Sequence, residues 1–291
     1  MTTAPEAAPV LRWPGGKRAV IKQLLTGLPE FDAYYEPFVG GGALFFALYN
    51  AGLLKGREVF LSDLNGEVID LYRALRDDFD DLLRGYDLLV ATYTRMNPAD
   101  REAYYYALRD GDVAPLPRIR RAARTLFLNA AGFNGLYRVN SNGKFNVPFG
   151  DGNVARLKSE SALVAAARAL QGVKLRQCSF VHVTPTRHAL VYADPPFADV
   201  PGKKSFRAYT AEGFSDEQQA GLADWCARAS SRHGAHVMAS NTDCKLIRAL
   251  YPSTFMATGH WYIERVKVKR SINRDGKGRG GVGEVIIRAW R

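Results

Sequence analysis

The chain has 291 residues, of which 47% are hydrophobic, so it can bury a full core as one large domain or as two unequal ones. Its 40 Lys and Arg residues outnumber its 29 Asp and Glu residues, and the net charge of +11 favours a polyanionic partner. Three cysteines without a CxxC pair argue against a disulfide framework or a zinc site, and no apolar run approaches the ~20 residues of a membrane span, so we expect a cytoplasmic protein with no membrane partner.

The N-terminal stretch combines a tail with a glycine motif. Residues 1–9 lack the basic and apolar regions of a signal peptide, and we expect them to be a frayed tail. Arg12-Trp13-Pro14-Gly15-Gly16-Lys17 follows, ahead of a helical pattern over residues 21–25. Glycines before a helix let backbone amides approach a ligand, and Lys17 adds a positive charge. The spacing of a Walker loop is absent, so an ordinary turn into a helix stays open as the alternative.

A strand, a glycine turn, a helix and a second strand are predicted next. Residues 34–36 favour a short strand that leads through Pro37-Phe38-Val39-Gly40-Gly41-Gly42 into an apolar helix over 43–54. Glycines at such a turn permit positive φ and close backbone approach, as in nucleotide-binding folds. The second strand, 59–61, precedes Asp63, about 20 residues after Gly42, an offset at which an acid commonly holds ribose hydroxyls. A helix-capping Asp63 is the alternative, but the order of elements indicates an adenosine-bearing ligand.

Residues 66–172 have a different character, because they are rich in Tyr and Arg. Helices are predicted over 71–76, 82–93 and 100–109, followed by basic residues whose usual meaning is a solvated helix face: Arg118, Arg120, Arg121 and Arg124.

A β-hairpin is predicted around Asn142-Gly143, the strongest short-range hairpin signal. It would carry Arg138 and Lys144, with Phe133 just before it. A two-stranded ribbon fits the major groove of DNA, where Arg is the commonest reader of guanine, and an aromatic ring can wedge into a base stack. An ordinary surface hairpin whose aromatic rings pack on the body is the alternative.

After Gly172 the α/β pattern returns. Strands are predicted near 173–175, 190–193, 236–239, 263–270 and 284–287, with a helix to about 232 that Ser215 and Gln218 begin as a capping box. A basic and aromatic segment over 203–210 is typical of a lid, and the Gly-, Lys- and Arg-rich segment 273–281 is expected to be a mobile loop.

The strand at 190–193 runs directly into Asp194-Pro195-Pro196-Phe197. Proline cannot donate to a strand ladder, and ligands of open parallel sheets bind beyond the carboxyl ends of the strands. Asp194 should therefore lie at the lip of a crevice with Phe197 close by. Such a group suits a flat ring with an amine, because Asp194 and a main-chain carbonyl can accept from the amine while Phe197 stacks. A strand followed by a turn, with Asp194 as a helix cap, is the alternative.

Four of these stretches, in this order, resemble the Dam-like DNA adenine-N6 methyltransferases, the D12 class of alpha-type amino-methyltransferases. Residues 12–17 are similar to their N-terminal cofactor motif, 36–42 to the glycine motif, 133–150 to the recognition hairpin and 194–197 to the catalytic Asp-Pro-Pro-Tyr. Residues 268–273 also resemble their C-terminal strand, so the resemblance covers nearly the whole chain. Phe197 departs from the family's usual Tyr, but stacking needs only the ring face, and we expect activity to survive.

The resemblance implies a complete fold and function. The fold would be α/β, a Rossmann-like S-adenosylmethionine-dependent methyltransferase sheet (1–65 and 173–291) with an inserted, mostly helical target-recognition domain (66–172) that carries the hairpin. The enzyme would methylate the N6 amine of an adenine flipped out of double-stranded DNA, within GATC, with S-adenosylmethionine as donor, S-adenosylhomocysteine as product and no metal. We expect a monomer in the cytoplasm of a prokaryotic or phage-infected cell, with a cognate restriction endonuclease as a possible partner.

The resemblance and the residue patterns described above together predict three sets of site residues. The catalytic set is Asp194, Pro195, Pro196 and Phe197. The cofactor set is Trp13, Lys17, Glu36, Pro37, Phe38, Gly40, Gly42, Asp63, Phe180 and Asp194. The DNA-binding set is Arg12, Arg124, Phe133, Asn134, Leu136, Arg138, Asn140, Lys144 and Pro148.

Three other functions would account for part of the sequence. A cytosine-C5 methyltransferase needs a nucleophilic cysteine, usually after proline, but Gln177, Trp225 and Asp243 precede the three cysteines, which nearly excludes it. A cytosine-N4 or RNA adenine methyltransferase shares the amine chemistry, although the hairpin argues against both. A non-catalytic DNA-binding protein would explain the charge and the hairpin but would leave Asp194 and the glycine turn without a role.

Overall fold

A computed structural model of the chain describes residues 5–140, 142–154, 157–199, 214–252, 261–266 and 283–290. Its centre is a seven-stranded sheet in the order β3-β2-β1-β4-β5-β7-β6. The strands are β1 Ala33–Glu36, β2 Glu58–Asp63, β3 Lys174–Gln177, β4 Leu190–Ala193, β5 His236–Thr242, β6 Tyr262–Val266 and β7 Glu284–Arg288. β7 is antiparallel to both β5 and β6, and the other neighbouring pairs are parallel.

Helices cover both faces of the sheet. They are α1 Ile21–Leu25, α2 Ala43–Asn50, α3 Gly66–Asp77, α4 Phe79–Arg95, α5 Pro98–Asp110, α6 Arg118–Ala131, α7 Glu160–Leu170, α8 Asp216–Ser231 and α9 Lys245–Leu250. Side chains alternate between the faces of a strand, so Tyr34 and Tyr192 enter the core beneath α2 and α3, whereas Tyr35 and Val191 enter the core beneath α8. Both faces are buried, as parallel sheets require. Among the described residues, no helix is long and apolar enough to cross a membrane.

The strand order reverses between β1 and β4. β1 leads to β2 on one side of the sheet and β4 leads to β5 on the other, while Tyr34 and Tyr35 pair with Leu190 and Val191. The segments that leave β1 and β4 therefore emerge side by side. Such a switch point opens a crevice at the carboxyl ends of the strands.

The helical region 66–172 shares the core of the sheet. α3 packs on β2 and β3 as well as on α6, and α7 packs on α2 and α3. The expected division into domains at 65 and 173 stays a prediction.

The prediction that the basic cluster of α6 is a solvated helix face is wrong for Arg118 and Arg121. Arg118 pairs with Asp78 at 2.6 Å and Arg121 with Asp70 at 2.9 Å, while Arg120 is exposed. These ion pairs connect α6 to α3 and to the residue before α4.

The predicted hairpin forms a ribbon, residues 132–150, whose described part contains isolated bridges rather than regular strands. Val139 bridges Phe145, and the amide of Asn140 donates to the Lys144 carbonyl at 2.9 Å. Gly143 has φ +72° at the turn, a conformation that glycine adopts without strain. Phe145 packs into the body, but Phe133 leaves 49% of its surface exposed. The ribbon therefore has an apolar inner side and an exposed aromatic at its base.

Most predicted elements are confirmed, and the differences have local causes. The strand at 190–193 is found with its predicted bounds, and both hydrogen bonds of the Ser215–Gln218 capping box are present. The prediction that residues 1–9 form a frayed tail is wrong at Ala7. This residue is buried and exchanges two hydrogen bonds with Asn50. The segments 203–210 and 267–282 lie outside the described residues, so the lid, the glycine-rich loop and the end of the strand predicted at 263–270 stay predictions.

Candidate functional site

Four segments that are distant in sequence meet at the switch point and form what we call the crevice: residues 13–17, 36–42, 63–65 and 194–197. Asp63 Oδ2 accepts a hydrogen bond from the Gly40 amide at 2.9 Å, and Lys17 Nζ lies 2.8 Å from Asp194 Oδ1. The structure therefore brings together residues that the sequence placed at the ends of separate elements.

The glycine turn is required by its backbone and by Trp13. Gly42 has φ +68° at the start of α2, and Gly40 has φ +44°. A Cβ atom at Gly40 would lie 2.7 Å from Trp13 Nε1, so the indole packs directly on the turn. The Tyr72 hydroxyl donates to the Gly40 carbonyl at 2.8 Å and holds the turn from below.

Two carboxylates face a poorly solvated environment beside this turn. Glu36 is buried with the Tyr34 hydroxyl donating to it at 2.8 Å, and burial raises the pKa of Glu36 to about 8. Burial also raises the pKa of Asp63 to about 6, although the amides of Asn65 and Gly40 favour its ionised form. A ligand that brings a positive charge or hydroxyl donors would stabilise both carboxylates in their ionised state.

An apolar shelf lies near Asp63. Phe38 stacks on Phe180 with ring centroids 5.4 Å apart, and Phe180 is itself buried against Trp225. Leu64, directly after Asp63, is 52% exposed, and Pro37, before Phe38, is buried. Hydroxyl acceptors, an apolar shelf and a buried acid fit an adenosine that carries a cationic group.

Asp194 leaves β4 with one oxygen already engaged. Lys17 is buried, its Nζ also donates to the Gly15 carbonyl at 2.8 Å, and it lies 4.7 Å from the centre of the Phe197 ring. Burial raises the pKa of Asp194, and the charge of Lys17 opposes that rise. Lys17 is paired with this carboxylate, but 21% of the Asp194 side chain is exposed, so the carboxylate can also accept from an incoming donor.

Two polar residues that the sequence did not indicate hold the Asp194–Phe197 turn. Gln219 Nε2 donates to the Pro196 carbonyl at 2.8 Å, and the Ala198 amide donates to Asn241 Oδ1 at 3.0 Å. The two side chains also hydrogen-bond each other at 3.0 Å, and both are buried. Asn241 lies near the carboxyl end of β5, the neighbour of β4, and that position was the available signal.

Most residues predicted to contact DNA lie on or beside the ribbon. Arg12, Phe133, Asn134, Lys144 and Pro148 are exposed, and the half-buried residues of the set are Leu136, Arg138 and Asn140. The Arg138 guanidinium donates to the side-chain and main-chain oxygens of Asn146 at 2.8 and 2.9 Å. Asn140 Oδ1 accepts from the amides of Asn142 and Lys144, which fixes the turn.

Arg12 is placed beside the ribbon by a buried asparagine. Asn129 accepts from the Arg12 amide at 2.8 Å, and its Nδ2 lies 3.0 Å from the carbonyls of Arg12 and Gly135. The aliphatic part of Arg12 covers Gly135, where a Cβ would collide with it. Asn129 thus joins the N-terminal motif to the ribbon, and sequence spacing gave no sign of this.

Arg124 is a correction to the predicted DNA-binding set. Its side chain is buried, and its guanidinium donates to the carbonyls of Leu108 and Arg109 at 2.7 and 2.8 Å, in the last turn of α5. Its Nη1 also lies 3.7 Å from Glu67 Oε1. Arg124 therefore stabilises the end of α5 and does not lie on the surface that DNA can reach.

Among the described residues, no group of three or more His, Cys, Asp and Glu side chains could hold a metal ion.

The chain is similar to known proteins over most of its length. A family model described as D12 class N6 adenine-specific DNA methyltransferase matches residues 13–272. The Type II methyltransferase M.MjaIII of Methanocaldococcus jannaschii is 32% identical, over 97% of this chain and 99% of its own length. The DNA adenine methylases of Serratia marcescens and Escherichia coli (strain K12) are each 32% identical over 95% of this chain, and the matches cover 96% and 93% of those proteins.

Proposed function

Because the chain belongs to the D12 class N6 adenine-specific DNA methyltransferases, we propose that it methylates an adenine flipped out of duplex DNA, with S-adenosylmethionine as donor. The observation that supports this most is the Asp194–Phe197 turn at the end of β4, beside the glycine turn at the end of β1. A base inside a duplex is out of reach of such a turn, so the adenine must leave the stack. Residues 66–172 would supply target recognition and residues 1–65 and 173–291 the catalytic domain.

The crevice residues would hold the cofactor. Asp63 suits the ribose hydroxyls, Phe38 and Phe180 suit the adenine ring, and the remaining members of the set line the glycine turn and its approach: Trp13, Lys17, Glu36, Pro37, Gly40 and Gly42. S-adenosylmethionine, when bound, supplies an electrophilic methyl group on a sulfonium.

The turn at Asp194 would prepare the amine of adenine. That amine is a poor nucleophile, because its lone pair is delocalised into the ring. The Asp194 carboxylate and the Pro195 carbonyl would accept its two hydrogens and draw the nitrogen toward tetrahedral geometry, while Phe197 stacks on the ring. The Pro196 carbonyl is engaged by Gln219, which keeps the turn in place. Fixed alignment and oriented dipoles would supply most of the rate acceleration.

The ribbon and Arg12 would read the target, for which we propose GATC. Arg12, Leu136, Arg138 and Pro148 correspond to positions that read this sequence in Dam-like enzymes, and Phe133 corresponds to their intercalating aromatic. The exposure of Arg12, Phe133 and Pro148 supports this assignment. A cognate restriction endonuclease is proposed as a functional partner, in line with the Type II methyltransferase names of two relatives.

Labelled-methyl transfer to duplex DNA tests the proposal. Incubation with labelled S-adenosylmethionine, digestion to nucleosides and mapping of the modified positions should give N6-methyladenine within GATC. N4-methylcytosine in the DNA, or label that appears only when RNA is supplied as the substrate instead, would favour the rival amino-methyltransferases. Failure to bind the donor would contradict the proposal altogether.

A further inference from the structure

We propose that Tyr137 is a positioning residue that couples the crevice to the ribbon, so that cofactor binding tightens the hold on the target DNA site. The inference rests on the proposed function. Tyr137 is fully buried and lies in the ribbon between Leu136 and Arg138, two proposed readers of DNA. Its side chain, however, points toward groups that belong to the crevice.

The first connection runs through hydrogen bonds. The Tyr137 hydroxyl accepts from Asn65 Nδ2 at 2.9 Å and donates to Glu67 Oε2 at 2.8 Å. The Asn65 amide donates to Asp63 Oδ1 at 2.9 Å, and the Asn65 side chain caps α3 by accepting from the Glu67 amide at 3.0 Å. Only Asn65 therefore separates the ribbon tyrosine from the carboxylate assigned to the ribose.

The second connection runs through stacked rings. Trp13 lies on Tyr137 with ring centroids 4.7 Å apart and an angle of 22° between the planes. The same indole packs on Gly40, where an added Cβ atom would lie 2.7 Å from Trp13 Nε1, and the Cβ of Trp13 packs on Gly41, where an added Cβ atom would lie 3.0 Å from it. A ligand that orders the glycine turn also fixes Trp13, and Trp13 fixes the tyrosine ring.

On the ribbon side, Tyr137 determines where the reading residues lie. Its ring meets Phe145 of the opposite arm edge-on, with centroids 5.5 Å apart. The next residue, Arg138, binds Asn146 of that arm through its side chain, and its carbonyl accepts from the Asn146 amide at 3.0 Å. Burial and the nearby Glu67 raise the pKa of Tyr137 well above its usual value, so the hydroxyl remains a donor at any physiological pH.

Coupling between two binding sites is reciprocal, and typical values change affinity by about 5- to 150-fold. We expect the wild type to bind a GATC duplex more tightly in the presence of S-adenosylhomocysteine, by a factor in that range. Tyr137→Phe retains the stacked ring but loses the hydroxyl. It should lose most of that factor, while its affinity for S-adenosylhomocysteine alone changes by less than about twofold.

Fluorescence anisotropy of a labelled GATC duplex, titrated with the full chain with and without S-adenosylhomocysteine, measures the change in DNA affinity. The ratio of the two affinities is the factor for each variant. Tyr86→Phe is the matched control, because Tyr86 is also buried in the helical region and its hydroxyl accepts from the Lys158 amide at 2.7 Å, away from the crevice. Tyr86→Phe should keep the wild-type factor. A general loss of stability would weaken DNA binding in both conditions and leave the ratio unchanged.

Asn65→Ser provides a second variant in case Tyr137→Phe does not fold. Serine is also a good helix cap, but it is too short to reach the tyrosine hydroxyl, so this variant should lose the factor as well. The inference is overturned if both variants keep the wild-type factor, or if the wild type shows no dependence on S-adenosylhomocysteine. Failure of the wild type to bind S-adenosylhomocysteine at all would overturn the proposed function too.

Discussion

The crevice collects buried acids, whereas the ribbon and its surroundings expose bases and an aromatic ring. Glu36, Asp63 and Asp194 follow or end three parallel strands, and burial raises the pKa of each. Arg12, Lys144 and Phe133 are exposed. The net charge of +11 is therefore unevenly distributed: the exposed bases favour a polyanionic partner, whereas the crevice concentrates acids.

The two regions are also built differently. The crevice residues are placed by strand ends, whose register is fixed by the sheet. The ribbon is held by isolated bridges, a glycine turn and side-chain hydrogen bonds. We therefore expect substitutions in the crevice to impair methyl transfer itself. Substitutions in the ribbon should instead produce graded changes in the choice of DNA sequence.

The largest effect is expected at Asp194. Asp194→Ala removes the acceptor for the amine and should reduce methyl transfer at least about a hundredfold, in the range seen when one group that stabilises a transition state is deleted. Calorimetry should show that the cofactor still binds. Asp194→Asn is the matched control for shape, and it should be nearly as inactive because it replaces one acceptor oxygen by a donor. Full activity of Asp194→Ala would mean that the crevice acid has no part in the chemistry.

Arg138→Ala should change site choice rather than chemistry. If Arg138 reads guanine, its loss should reduce discrimination between GATC and a duplex altered at one guanine by ~1–3 kcal/mol. Competition binding with the two duplexes measures this difference. An equal loss on every sequence would instead make Arg138 a phosphate contact. Arg120→Ala, an exposed arginine of α6 outside the ribbon, provides the comparison.

Lys17→Met tests whether the charge of Lys17 keeps Asp194 ionised. Lys17 lowers the pKa of Asp194 against the effect of burial, so its removal should raise that pKa further. The acidic limb of the rate profile, where activity appears as Asp194 loses its proton, should move to higher pH. The pH dependence of the single-turnover rate constant for methyl transfer measures the shift. A limb at the wild-type position would contradict the assigned role of Lys17.

A smaller effect is expected from Glu36, on the pH dependence of the affinity for the cofactor. Its pKa is raised to about 8, so a proton competes with a cationic ligand below that pH. Affinity for S-adenosylmethionine should rise between pH 6.5 and 8, by at most about tenfold per pH unit, and level off above that range. Asp63, with a pKa of about 6, contributes mainly at lower pH. Glu36→Gln should flatten the dependence in equilibrium dialysis, and an unchanged slope would assign it to another group.

The sequence was sufficient for features that depend on neighbouring residues. The strand at 190–193, the prolines that end it and the glycine turn all follow from local chemistry. Gln219 could not be predicted as a support of that turn, because its partner is 23 residues away in the chain. The position of Asn241 near the end of β5 was a signal, but not for its partner Ala198, which is 43 residues away. Arg124 was misplaced for a related reason: the charge of a residue does not reveal which side of its helix will be covered. The connection from Tyr137 to Asn65 spans 72 residues and depends entirely on tertiary packing.

Base extrusion tests the central claim most directly. A GATC duplex with 2-aminopurine at the target adenine should become strongly more fluorescent when the protein and S-adenosylhomocysteine are added, because that base fluoresces when it leaves the stack. The same probe one step outside the site should stay quenched. If the target probe stays quenched while an unmodified duplex is still methylated, then the adenine does not leave the stack to reach Asp194, and the account is contradicted.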